Sequence, residues 1–341
     1  MTKPLAIVGY IGTNTNLTFA SSLVATELAA MARILERCGY EAKIAHQPFE
    51  RKRLRKEPKT GIVPWDGKGE VDVVWIHQAT PNFMGGPTDE HCDQIGILGD
   101  ALVTAKEVWR LLVDNNETMR HRSVFGLRRN QACPGFLHCA EGIERAVREE
   151  RWYEVGWKEC EDPDVDLPFR DSGITAEQLM LTKELFGGSL EKVYDFAYVG
   201  TSRANPKKRD ARARAMEKFL EHENCFYTGS FFKKRKSFMG CWEGMAQSRA
   251  HLIVRDETMR HMPLHRYVQA LILDAVPIVL NEPSPANFIH NEVLQDTLRV
   301  SSYEEGLTLL ERREELLPLL REELKYWLDY DLARLPMQLE A

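Results

Sequence analysis

The sequence predicts an α/β fold built on two successive parallel sheets. Three observations predict it. Short apolar runs alternate with stretches of helical periodicity, and strand–helix–strand order gives parallel pairing. The alternation pauses in the acidic, irregular "KECEDPDVDLPFRDSG" and stops at Gly187-Gly188, then restarts at "YDFAYVG". A chain of 341 residues also exceeds the roughly 100–200 of one ordinary domain.

Each element follows from its own residues. "PLAIVGY" is a short apolar run and predicts a buried strand. "TFASSLVATELAAMARILERCGY" puts Leu23, Leu28, Met31 and Leu35 on one side of a helix, with Gly39 as its C-terminal cap. "EAKIAHQ" and "VDVVWIH" predict strands, with a polar loop between them and a Gly-bearing loop, "QATPNFMGGPTDE", after the second. "ALVTAKEVWRLLVDN" and "CAEGIERAVREERW" predict helices, and "SVFGLRR" a strand between them. In "TAEQLMLTKELFGG", Thr175 and Gln178 have capping-box spacing and Gly187-Gly188 stops the helix.

After that stop, "YDFAYVG", "CFYTGS", "AHLIVRD" and "PIVLN" predict strands. "PKKRDARARAMEKFLEH", "GCWEGMAQSR" and "HRYVQALILD" predict the helices between them. "YEEGLTLLERREELLPLLREELKYWLDY" predicts a helical tail interrupted at Pro318. The expected architecture is two Rossmann-like domains facing each other across a cleft, residues 1–188 and 189–320. A terminal helix over 321–341 packs back towards the first. Ligands of such sheets bind outside the carboxyl ends of the strands.

Composition narrows the function classes. The formal net charge is −6, so the chain as a whole is no polycation, although basic residues cluster locally. Seven cysteines, an odd number without a C-x-x-C, predict free thiols in a reducing compartment. No stretch approaches the ~20 apolar residues of a membrane helix, and "MTKPLAIVGYIG" lacks the pattern of a signal peptide, so a cytoplasmic protein is expected.

Four places carry candidate chemistry. In "VGYIGTNTNLT", Gly9 and Gly12 would let the backbone pass close to a ligand, although the dinucleotide fingerprint G-x-G-x-x-G is missing. In "WIHQATPNFMGGPTDEH", His77 closes a strand and Asp89 follows the loop, either suitable as a general base. Asp89 equally fits an ordinary acidic first turn of a helix. In "YVGTSRANPKKRDARARAMEKF", Arg203 follows Gly200, and a guanidinium fork beside backbone N–H groups suits a diphosphate. Lys207 and Lys208, with Lys233, Lys234, Arg235 and Lys236 of "FFKKRK", exceed what one diphosphate needs and would track a polyanion, or form a solvated face. In "HRYVQALILDAVPIVLNEP", His265 and Arg266 start a helix whose positive end favours phosphate, and Glu282 lies just past the next strand.

The glycine-ended strand followed by Arg203, with "RYVQALILDAVPIV" and a helical tail, resembles glycosyltransferases of the GT-B class. "YVGTSRANPKKRDARARAMEKF" and "IVRDETMRHMPLHRYVQALILDAVPIV" are similar to the phage enzymes that glycosylate hydroxymethylated pyrimidines in DNA. The resemblance covers the carboxyl-terminal half, and the amino-terminal half in architecture alone. It implies a nucleotide-sugar donor, expected as a UDP-sugar co-substrate with no cofactor and no metal. The donor would be held by the second domain and the acceptor by the first. Gly12, Gly200, Arg203, His265 and Arg266 would contact the donor. The helix position usually occupied by glutamate is Gln269, so the ribose contact falls to Gln269 or Glu282. The expected partner is double-stranded DNA and not a membrane, in a host cytoplasm if the gene is a phage's. Transfer to a glycan or small molecule, or a non-catalytic DNA-binding protein of the same shape, are the alternatives. A nicotinamide-dependent oxidoreductase is disfavoured by the missing fingerprint.

Overall fold

The computed structural model describes residues 3–11, 28–45, 63, 65–78, 89–112, 134–149, 152–154, 172–188, 190–199, 211–228, 238–254, 264–280 and 289–339. Contacts divide the chain into two units. Met1–Lys158 groups with Leu335–Ala341, and Glu159–Arg334 forms the other. Each holds a five-stranded, wholly parallel sheet with helices, so the chain is α/β with two Rossmann-like sheets.

The first unit runs β1 (Leu5–Ile11), α1 (28–37), β2 (Glu41–Ile44), β3 (Val73–Gln78), α2 (Asp89–Thr104), β4 (Glu107–Leu112), α3 (Pro134–Arg148) and β5 (Trp152–Glu154). Its strand order is β2-β1-β3-β4-β5. Gly39 closes α1 as expected. It sits at φ 96°, with Gly39 N–H donating to Glu36 O and Tyr40 N–H to Leu35 O, the paired bonds of a Schellman cap.

Two elements differ from the sequence reading. "EVWRLL" is strand β4 rather than part of a helix, and Trp152, read as the last residue of a helix, opens strand β5. Leu and Val spacing suits a helix, but Glu107–Leu112 pairs along β3, where Trp75 and Trp109 stack with centroids 5.3 Å apart. No glycine or proline marks the break at Ala105-Lys106.

The second unit runs α4 (Ser172–Phe186), β6 (Tyr194–Val199), α5 (Ala211–Leu220), β7 (Cys225–Thr228), α6 (Phe238–Ala246), β8 (Ser248–Val254) and α7 (Leu264–Ile272). It continues with β9 (Val276–Leu280), α8 (Glu292–Thr297), β10 (Arg299–Val300), α9 (Tyr303–Glu311) and α10 (Arg313–Leu339). The order is β10-β9-β8-β6-β7. A domain boundary at 188 assigns α4 to the first half, but Ala176 and Leu179 of α4 belong to the second core. The helix starts at Ser172, so Thr175 lies inside it and does not cap it.

Strand β9 is buried throughout, which is why it reads as a continuous apolar run. Pro277 is tolerated there because β10 is two residues long and pairs only with Val279 and Leu280. The two faces of the sheet are told apart by register. Phe196 meets Phe219 of α5 edge-on at 5.2 Å, while the neighbouring pair Ala197 and His251 turns the other way, His251 reaching α6. The tail does not break at Pro318. The break falls at Arg312, the cap of α9, and Pro318 sits inside α10, where it forfeits one backbone bond while Leu316 and Leu320 remain in the core. Among the described residues no helix is long and apolar enough to cross a membrane.

Candidate functional site

Numbered within its own unit, each sheet has the strand order 2-1-3-4-5. The connection reverses direction between the first and third strands, β1 and β3 in one unit and β6 and β8 in the other. In doubly wound sheets ligands bind outside the carboxyl ends of the strands at that reversal. The sequence-predicted residues follow those ends in the chain. His77 is the penultimate residue of β3, in register with Tyr10 and Leu111, and Asp89 is the first residue of α2 after the connection. That place in α2 is where a helix favours carboxylates, so it fits the capping reading of Asp89 as well as a catalytic one. His265 and Arg266 are the second and third residues of α7, the helix after β8. Gly12, Gly200, Arg203, Lys207, Lys208, Lys233, Lys234, Arg235, Lys236 and Glu282 lie outside the described residues.

Gly9 has a different use from the one its sequence position suggests. A Cβ added there would stand 2.3 Å from Leu98 Cδ1, so this glycine lets α2 settle on β1.

Helix α7 brings Arg266 and Gln269 together, three residues apart and so on one side of the helix. Arg266 is half-buried. Gln269 is 7% exposed, and its carbonyl oxygen Oε1 is buried with no hydrogen-bond partner. Leaving such an acceptor unmet costs about 1–3 kcal/mol, which a purely structural position would shed by carrying an apolar residue. Beyond Gln269 the helix ends in a second Schellman cap. Asp274 adopts φ 51°, with Asp274 N–H donating to Leu271 O and Ala275 N–H to Ala270 O.

Three groups near α7 were not singled out in the sequence. His251, in the apolar run of β8, is 1% exposed. Its Nε2–H donates to Met245 O at 2.8 Å, which leaves Nδ1 as an unprotonated acceptor without a partner. Burial, aided by the charges of Lys192 and Arg266 and opposed by the bond to Met245, pushes its pKa down to about 3, so the ring is neutral. A polar residue inside an apolar strand was the available signal. Glu323, buried in α10, accepts from His290 N–H and Asn291 N–H, both at 2.8 Å, and from Trp327 Nε1–H at 3.0 Å. It reads in the sequence as one more acid on a charged helix. Lys192 lies at the amino edge of the sheet, where its Nζ donates to Ala246 O at 2.9 Å and Leu273 O at 2.6 Å, the ends of α6 and α7. Burial, with Arg313 nearby, pushes its pKa down to about 8. Lys183 caps Ile272 O at 2.6 Å in the same way. These lysines satisfy helix ends and do not face the carboxyl edge.

A second polar chain stands at that amino edge. His222 Nε2 is 2.9 Å from Asp195 Oδ2, and His222 Nδ1 is 2.7 Å from the Tyr303 hydroxyl. Arg249 reaches Asp195 Oδ1 at 3.3 Å. The start of α9 beside Tyr303 is closed by its own cap, with Glu305 N–H on Ser302 Oγ and the Glu305 carboxylate on Ser301 N–H. The relay ties β6, β7 and α9 together.

Metal chemistry finds no framework among the described residues, where no group of three or more His, Cys, Asp or Glu could hold an ion. The D-x-D spacing does occur in the chain, at Asp162-Pro163-Asp164-Val165-Asp166 and at Asp329-Tyr330-Asp331. The first run lies outside the described residues, and the second is in α10. Among the described residues Cys38, Cys139, Cys225 and Cys241 are not in disulfides, and Cys139 is buried with its pKa raised by that burial. The scan against family models matches none of them to this chain, and the search of curated proteins finds no match to it.

Proposed function

We propose that the chain is a glycosyltransferase of the GT-B type. It would move a sugar from a nucleotide donor to an acceptor hydroxyl, with a hydroxymethylated pyrimidine in DNA as the acceptor. The observation that carries this reading is the unmet acceptor of Gln269 on α7, beside Arg266, in the helix that follows β8 at the reversal of the second sheet. The half-buried guanidinium of Arg266, with Arg203, would stabilise the negative charge that builds on a departing diphosphate. Gln269 Oε1 would accept from a ribose hydroxyl, with Glu282 as the further acceptor. In the first sheet, His77 or Asp89 would take the acceptor's proton, and a base so placed gives inversion at the anomeric carbon. The two sheets would face each other across a cleft, donor on the second and acceptor on the first. The DNA acceptor rests on the basic residues Lys207, Lys208 and Lys233–Lys236. Fold alone does not carry a reaction.

The test is a thermal-shift screen against a panel of UDP-, GDP-, ADP- and TDP-sugars, followed by transfer of labelled sugar to hydroxymethylated and unmodified duplexes. A donor at a hundred times its Kd should stabilise the fold by about 2.7 kcal/mol. A panel in which no nucleotide sugar shifts the transition or donates its label would overturn the reading.

A further inference from the structure

The chain of Tyr303, His222 and Asp195 at the amino edge of the second sheet has the order of a nucleophile, a base and the group that orients the base. Asp195 Oδ2 can only accept, so at 2.9 Å it receives the Nε2–H of His222. That fixes the tautomer of the neutral ring. Nδ1 is left as the acceptor, and the Tyr303 hydroxyl donates to it at 2.7 Å. Asp195 Oδ1 is itself held by Arg249 at 3.3 Å. So braced, the carboxylate orients the imidazole and stabilises its charged form without taking the proton.

Packing sets this geometry. Phe196 lies edge-on to the His222 ring at 5.1 Å, and Phe219 edge-on to Tyr303 at 5.2 Å. Gly306, about one turn after Tyr303, lets α9 settle there, since an added Cβ would stand 2.5 Å from Phe219 Cε1. Phenylalanine at position 303 would keep the same ring contacts, so ring packing does not account for the hydroxyl. The His222 and Asp195 side chains are each 18% exposed and Tyr303 is half-buried, which shields the base and leaves the site within reach of a small molecule. A tie to α9 needs only a hydroxyl and one acceptor. The carboxylate behind the ring adds a base held in the one tautomer that can remove the phenol's proton.

We propose that Tyr303 is a nucleophile, with His222 as its base and Asp195 as the positioning residue, and that its Oη takes the acyl group of an activated ester. Oη bonds to the ester's carbonyl carbon as its proton passes to His222 Nδ1. The bond from that carbon to the leaving oxygen breaks with its electron pair, and the proton on His222 goes to the departing oxygen. The products are O-acylated Tyr303 and a free phenol. The leaving group must be a weaker base than a tyrosine phenolate for the acyl group to stay, which selects esters of acidic phenols over alkyl esters. Amides would need a positioned oxyanion site as well. This activity is independent of the donor-site reading above.

The experiment mixes the full chain with p-nitrophenyl acetate, follows nitrophenol release, and locates the acetyl group by peptide mass spectrometry. Wild type should give a stoichiometric burst with the acetyl group on Tyr303. Its rate should exceed that of N-acetyltyrosinamide in the same buffer by about 100-fold or more, the lower end of what a positioned base contributes. Tyr303→Phe should lose the burst, and His222→Gln should label Tyr303 about 100-fold more slowly than wild type. Acetyl groups on other residues with Tyr303 bare would overturn the proposal, as would labelling of Tyr303 no faster than the free amide. Equal rates in wild type and His222→Gln would overturn it too. The first two results need no variant, so they decide the matter even if His222→Gln does not fold.

Discussion

Lowering the pH should test the environment of His251 without touching any ligand. In the folded chain its pKa lies near 3, against 6.5 for a free histidine. The depressed value sets the sign. The unfolded chain takes up the proton first, so the stability His251 contributes is complete above pH 6.5 and is lost as pH falls from there towards 3. Between pH 7 and pH 5 the unfolded state gains most of one proton and the native state almost none, a loss of about 2 kcal/mol. Other groups titrate over the same range, so the quantity to read is a difference of differences. Urea unfolding of wild type and His251→Gln at both pH values supplies it. Glutamine keeps an N–H for Met245 O and has nothing to protonate. The variant should lose about 2 kcal/mol less than wild type over this interval, whatever its stability at pH 7. Equal losses in the two proteins would refute a neutral, sealed His251, and with it the single tautomer inferred from the Met245 bond.

Three further outcomes follow from the same geometry. Gln269→Met removes an unmet acceptor at nearly constant volume. It should raise stability by up to about 1–3 kcal/mol in urea while lowering donor affinity, and unchanged donor affinity would remove Gln269 from the site. Gly9→Ala drives a methyl group into Leu98 and should cost about 1–3 kcal/mol, read in the same assay. Replacing Lys233, Lys234, Arg235 and Lys236 by glutamine should flatten the dependence of DNA affinity on salt, by about 0.9 in log–log slope for each lost phosphate contact. An unchanged slope would remove that run from a DNA interface.

Most of the two sheets was legible, because strands buried on both faces announce themselves as apolar runs and glycine caps close helices in recognisable ways. Leu5–Ile11, Val73–Gln78, Val276–Leu280 and, apart from Ser248 and Arg249, Ser248–Val254 read as strands, and the stop at Gly39 read correctly. The failures have a common cause. Glu107–Leu112 is a strand because β3 lies beside it, and Ser172–Phe186 belongs to the second core because Ala176 and Leu179 meet residues far along the chain. Neither fact is local. The site divides the same way. Arg266 could be picked out by its place between a strand and a proline-bearing strand, and Gln269 through the resemblance of its helix. His251 offered only the signal of a polar residue inside an apolar strand, and its weight comes from the seal around it. Glu323 looks like any acid on α10 until His290, Asn291 and Trp327 are seen to converge on it.

The two ends of α7 are treated differently, and the difference bears on where a ligand would go. At its carboxyl end Lys183 donates to Ile272 O, Lys192 to Leu273 O, and Arg313 to Asp274 O at 2.9 Å, while Arg321 holds the Asp274 side chain at 3.3 Å. Apart from Nε of Arg313, the chain spends its own cations to close that edge. Further up, Gln269 Oε1 on α7 remains an acceptor without a donor. Folding alone selects against such an atom, because an apolar substitution would remove it. Retaining it in a helix that begins with His265-Arg266 makes sense if a donor of hydrogen bonds arrives from outside the protein. Hydroxyl groups on a phosphate-bearing ligand supply that donor and, in the same molecule, the anion that Arg266 would meet.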